Sequence, residues 1–177
     1  LNNFKETLLA FDQYGERHSP VLIILLSLFY KFGVSDEFIR FIFFNTSIIS
    51  VFFFYKCLKI KFDNTNTNYL FIISLIFFLS PTFRSLSVWP DSRLIGFLFF
   101  IISIYFYLKY FYIKKKILYC YLNIFFLAVA SYFSLNFCLF GIFFFIKFYR
   151  ELLKNKKILY YIIINLILIF PAFYYLF

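Results

Sequence analysis

"SDEFIRFIFFNTSIISVFFFYKCLKIK", residues 35–61, decides how the rest of the chain is read. Ser35 followed by Asp36 and Glu37 is a helix N-cap with acidic first-turn residues, which suit the positive end of the helix dipole. Residues 38–55 are then almost wholly apolar, close to the roughly 20 residues that cross a bilayer. Lys56, Lys59 and Lys61 close the segment with cations at the negative end of the dipole. An acidic start, an apolar middle and a basic finish predict a membrane-spanning helix.

The same pattern continues outward from this segment. The chain is 64% hydrophobic with mean hydropathy +0.86, well above the roughly 45–50% apolar content of soluble domains. Further apolar runs lie at 69–83, which is short and carries Pro81 near its end, at 94–113 and at 158–177. The run at 117–149 is too long for one span, and the more polar "SYFSLN" at 131–136 divides it in two. The expected fold is all-α: a polytopic transmembrane helix bundle of about six spans, as a single domain over 34–177. Residues 1–33 precede it as an extracytoplasmic segment. The absence of Met and the apolar end at Phe177 predict a piece of a longer protein, incomplete at both ends.

Basic residues set the orientation. Lys56, Lys59 and Lys61 follow the first span, Lys114, Lys115 and Lys116 the third, and Lys147, Arg150, Lys154, Lys156 and Lys157 the fifth. Clusters at every second connection predict a cytoplasmic face there. The net charge of +10 therefore reflects topology and not a nucleic-acid footprint. The other connections face outward: 1–37, "RSLSVWPDSR" at 84–93, and the "SYFSLN" turn. Val21 opens a run to residue 32 of only 12 residues with both flanks on the outer side. It predicts a short interfacial helix; the alternative, a short true span, would move residues 1–20 to the cytoplasm.

No P-loop, metalloprotease motif, nucleophile elbow or dinucleotide fingerprint occurs. Cys57, Cys120 and Cys138 lack metal-like spacing, so no metal or other cofactor is expected. What topology gathers on the outer face is Glu16, Arg17 and His18 before the short helix, with Arg84, Asp91 and Arg93 around Trp89-Pro90. The plain explanation is anchoring: arginine meets lipid phosphate, tryptophan joins the aromatic belt and proline sets a turn. The chemical one is that arginines hold a phosphate while a carboxylate acts as general base.

Residues 12–113 resemble the membrane glycosyltransferases of the GT-C class, the protein-mannosyltransferase and aminoarabinose-transferase-like enzymes that use polyprenyl-phosphate sugars. The likeness is carried by an ordered series: His18-Ser19-Pro20-Val21, Phe32-Gly33, Arg40, the lysines at 56–61, Leu79-Ser80-Pro81 and Val88-Trp89-Pro90-Asp91. Ser19 stands where the family commonly has the first of two prolines. The resemblance implies sugar transfer from a polyprenyl-phosphate donor to a glycan, lipid or protein acceptor on the extracytoplasmic face of a bacterial inner membrane, as part of the cell envelope. It implies Asp91 and Glu16 as catalytic carboxylates, with a principal base upstream of Leu1, and Arg17, His18, Arg84 and Arg93 as substrate-binding residues. The competing classes are a multi-pass transporter or flippase and a non-enzymatic membrane assembly subunit. Transporters usually carry ionisable residues near the midplane, where this chain has mainly Asn45, Asn123 and Asn165.

Overall fold

The computed structural model describes residues 20–63, 65–154 and 158–176, and all regular elements among them are helical. Helix α1, Val21–Lys31, stops where its backbone turns left-handed at Gly33 (φ +71°). The Gly33 N–H donates to Tyr30 O and the Val34 N–H to Phe29 O, both at 3.0 Å. This paired closure satisfies the last carbonyls of α1, and Phe29 and Val34 pack on the same apolar cluster. A Cβ at residue 33 would meet nothing within 4 Å; the backbone angle, not space, calls for glycine.

Ser35 then caps α2, Asp36–Lys61, by accepting from the Phe38 N–H (3.3 Å). At 26 residues this helix is about 39 Å long, more than the ~30 Å apolar core of a bilayer. Its inner face carries Ile39, Phe43, Ser47, Ser50, Val51 and Cys57, while Phe38, Phe41, Phe44, Ile48, Ile49 and Phe52 remain exposed on the other. Such an apolar outer face suits lipid rather than water.

Helix α3, Thr67–Ser74, is capped by Asn66 and tightens into a 3-10 turn at Leu75–Leu79. At Ser80-Pro81 the chain bends by 75° into α4, Pro81–Val88. Helix α5, Ser92–Leu108, ends in a π turn at Lys109–Ile113. Helix α6, Ile117–Phe133, is followed by a 3-10 turn at Leu135–Leu139, then α7, Phe140–Lys154, and α8, Ile158–Leu176. The "SYFSLN" segment thus divides the long apolar run as its polarity predicts.

Helices α2 and α5 run parallel. Ile39, Phe43 and Leu94 share one cluster near their starts; farther along, Phe53 meets Tyr105 edge-on at 5.6 Å, and at their ends Lys61 bonds the Tyr112 hydroxyl. Helix α6 returns antiparallel to α5, and α7 again follows α5, with Phe140, Phe144 and Phe148 against Phe100, Tyr107 and Phe111. Tyr161 and Tyr132 tie α8 to α7 and α6.

Small polar residues let these helices approach. Ser47, Ser50, Ser74 and Ser87 are buried, and each hydroxyl donates to a carbonyl of its own helix at 2.6–2.8 Å. Each is satisfied without water, as an apolar surrounding demands.

By length and composition, two helices can cross a membrane: Asp36–Lys61 with mean hydropathy 1.7 and Ser92–Ile113 with 1.9. Thr67–Leu79 with Pro81–Val88 makes a third if the bent pair is one span. Ile117–Phe133 and Ile158–Phe170 are apolar but shorter. Among the described residues the count is thus two or three, below the six expected from hydropathy. Two local expectations are also corrected. Pro81 does not sit inside the end of a helix; it opens a new one, because proline fits the first helical position but not the interior. Arg84 accordingly lies on α4, and the loop expected over 84–93 shrinks to 89–91.

Candidate functional site

The topology sorts the polar residues onto two ends of the bundle. One end holds the starts of α2 and α5 and the 3-10 turn after α6, where Phe137 packs on Phe100. The other holds the ends of α2, α5 and α7 and the start of α6. Arg40, Arg84, Arg93 and Trp89 mark the first; a cluster of lysines with Arg150 marks the second.

At the arginine end, local sequence rules build the α4–α5 turn. Ser80 accepts from the Phe83 N–H (3.3 Å) to start α4. Pro90 forces Trp89 out of helical geometry, and Trp89 is extended at φ −100°, ψ 133°. Asp91, also extended, starts α5 by accepting from the Arg93 N–H at 2.7 Å. The same carboxylate grips the Arg93 guanidinium as a fork: Nε donates to Oδ1 (3.0 Å) and Oδ2 (3.1 Å), and Nη2 to Oδ2 (2.6 Å). Such bidentate charge-assisted pairs fix geometry as well as charge. The Arg93 side chain is 57% exposed against 23% for Asp91, so the guanidinium still meets its surroundings with its remaining N–H groups.

Trp89 is 59% exposed, and the Arg40 guanidinium lies 4.9 Å from its ring centroid. Arg40 stands one turn inside α2, among phenylalanines, where a cation needs a partner; the ring face supplies one. Nearby, Tyr30 donates to Asp36 Oδ1 at 2.6 Å, joining α1 to the first turn of α2. The Asp36 carboxylate accepting that hydroxyl proton holds the Tyr30 phenol above its ordinary range.

Of the residues expected to form the site, the structure pairs Asp91 with Arg93. Arg84 is exposed on α4, and the turn at Trp89-Pro90 separates that helix from the Asp91 cap. Glu16, Arg17 and His18 lie outside the described residues. Arg40 was not among the expected site residues; its signal in the sequence is a lone arginine placed just inside an otherwise apolar helix. The Asp91 carboxylate thus both caps α5 and holds Arg93.

Comparison with protein-family models, curated proteins and solved structures finds no match to this chain. The structure therefore defines the class without analogy: helical throughout its described residues, with two or three helices among them long and apolar enough to cross a membrane.

Proposed function

We propose that the protein is a multi-pass membrane glycosyltransferase that moves a sugar from a polyprenyl-phosphate donor to a lipid, glycan or protein acceptor. In this reading, 117–133, 135–154 and 158–176 also cross the bilayer, and the arginine end faces outward. The observation that carries the reading is the α4–α5 turn, where Arg93 is held by Asp91 and Arg40 by Trp89. Two oriented guanidinium groups at a membrane-level turn are suited to a lipid phosphate.

The reaction divides naturally among these groups. A carboxylate, Asp91 or Glu16, takes the proton from the acceptor hydroxyl. The hydroxyl oxygen attacks the anomeric carbon while the bond from that carbon to the phosphate oxygen breaks, leaving its electron pair on the polyprenyl phosphate. Arg93, with Arg84, Arg17 and His18, stabilises the negative charge that gathers on that phosphate.

The test is transfer of radiolabelled sugar from polyprenyl phosphate in membranes carrying the intact protein. Asp91→Asn removes the carboxylate charge while retaining a side chain able to cap α5, and Arg93→Gln removes the guanidinium. Each is expected to lower transfer about 100-fold or more, with membrane insertion unchanged. Normal transfer in both would remove the site assignment.

A lipid transporter is the second reading, favoured by the 75° break between α3 and α4, since transporters use discontinuous helices. Lipid flipping without sugar transfer, in the same membranes, would select it.

A further inference from the structure

We infer that the lysine end of the bundle is a docking surface for anionic phospholipid headgroups. This surface is remote from the α4–α5 turn and does not depend on the sugar-transfer reading.

Three connections converge there. Lys61 at the end of α2 bonds the Tyr112 hydroxyl in the π turn of α5, and Lys115 before α6 pairs with Glu151 of α7 at 2.6 Å. Among the described residues this end gathers Lys56, Lys59, Lys61, Lys109, Lys114, Lys115, Lys116, Lys147 and Arg150, against only Asp63 and Glu151. Ionic pairing within the protein therefore leaves a large positive surplus.

The lysines are also seated at a definite level. Lys56 lies over Phe52 at 4.4 Å, Lys61 over Tyr112 at 4.5 Å, Lys109 over Tyr105 at 4.8 Å and Lys147 over Phe143 at 5.6 Å. Stems lie along apolar rings while ammonium groups reach the edge of the apolar band, the arrangement of snorkelling side chains. Tyr112 and Ile113 in the π turn are exposed at the same level. A cluster of cations bordering a belt of exposed apolar side chains matches phosphate-bearing lipids packed around the helices. A soluble polyanion would need no such belt.

The full chain, reconstituted in phosphatidylcholine bilayers, is probed with spin-labelled phosphatidylglycerol or phosphatidylcholine, and the immobilised fraction of each is measured. The expected preference for phosphatidylglycerol is about threefold or more at low salt, falling as salt rises. The triple variant K59Q/K114Q/K116Q should lose most of it, while K59R/K114R/K116R keeps it. These residues are exposed, and an unchanged Trp89 emission spectrum shows that each variant retains the fold. R84Q/R93Q, at the opposite end, should keep the preference, and excess inorganic phosphate should not remove it. Equal immobilisation of the two lipids overturns the inference, as does an unaffected Gln variant. Loss of the preference in R84Q/R93Q would place the anion at the other end. Full competition by inorganic phosphate would make the surface a free-anion site.

Discussion

The α5–α6 pair and the α3–α4 pair are both made of phenylalanine, isoleucine, leucine and serine, yet they fold in opposite ways. Helices α5 and α6 lie along each other as a continuous antiparallel seam. Helices α3 and α4 meet at a 75° bend. The difference lies in a few residues. Along the seam, Gly96 faces the Ala130 carbonyl, and Ser103 and Asn123 bond across it. At the bend, a 3-10 turn ends at Ser80, whose hydroxyl caps a new helix opened by Pro81. Apolar content decides that a segment leaves water; small residues and backbone punctuation decide its direction once there.

Gly96 gives the largest expected break in the seam. A Cβ there would stand 3.0 Å from Phe137 Cε2 and 3.2 Å from the Ala130 carbonyl oxygen. The ring can swing, but the carbonyl belongs to fully buried Ala130 and already accepts from the Ser134 N–H at 2.9 Å, so it cannot. Gly96→Leu should cost about 2–3 kcal/mol, in the range of overpacked cores, measured by reversible denaturation in detergent. Gly141 is the control, because a Cβ there meets only Leu127 Cδ2 at an ordinary 3.7 Å. Gly141→Ala should be neutral or slightly stabilising, because alanine favours a helix over glycine; an equal loss at both sites would mean that close approach does not set Gly96 apart.

These residues also show what could be read from the sequence. The helical class, the Ser35 cap, the lysine-marked helix ends and the break at 131–136 follow from local patterns that need no partner. The bend could not be placed, because Pro81 is equally compatible with a kink within one helix and with the start of another. The extended backbone at Ser80 and its hydroxyl, which accepts from the Phe83 N–H, separate the two. Among the described residues, two or three of the six expected spans are long and apolar enough to cross; Ile117–Phe133 and Ile158–Phe170 are apolar but shorter, and hydropathy alone does not weigh helix length. For the candidate site, Asp91 and Arg93 were legible as adjacent opposite charges, but their fork depends on Asp91 capping α5. Arg40 on Trp89 joins residues distant in sequence, and no local pattern links them.

The buried polar pair gives the next effect. Asn123 Nδ2 donates to Ser103 O and Oγ, both at 2.8 Å, and the Ser103 hydroxyl donates to Asn123 O at 3.0 Å. Asn123 Oδ1 is buried without a partner among the described residues. Truncation therefore removes good bonds together with one unfavourable group, so Asn123→Ala should cost only about 1 kcal/mol. A double-mutant cycle with Ser103→Ala should return a coupling of about 0.6–1.7 kcal/mol. No coupling would mean that the seam is held by shape alone.

At the bend, Ser80→Ala removes the cap on α4, typically worth about 1 kcal/mol. The effect should stay local: faster amide exchange over 81–88, with α5 and α6 unchanged. If exchange also rises along α5, the bent pair and the seam form one cooperative unit, and the contrast between them is weaker than their geometry suggests.

The smallest effect concerns the turn where the two pairs join. Trp89 is the only tryptophan in the chain, so its fluorescence reports this turn alone. Arg40 covers part of its ring from α2, while Pro90 and Asp91 fix its backbone from the α5 side. Arg40→Gln should cost about 0.5–1 kcal/mol, the usual value of an exposed cation–π contact, and should increase quenching of Trp89 by a neutral aqueous quencher. Arg40→Lys keeps the charge but not the flat guanidinium, so it should fall between Gln and the native residue. If the Gln variant leaves quenching unchanged, the turn is held by Pro90 and the Asp91 cap alone. Trp89 would then owe its position to the start of α5, and the bend would be set from the seam side and not from α2.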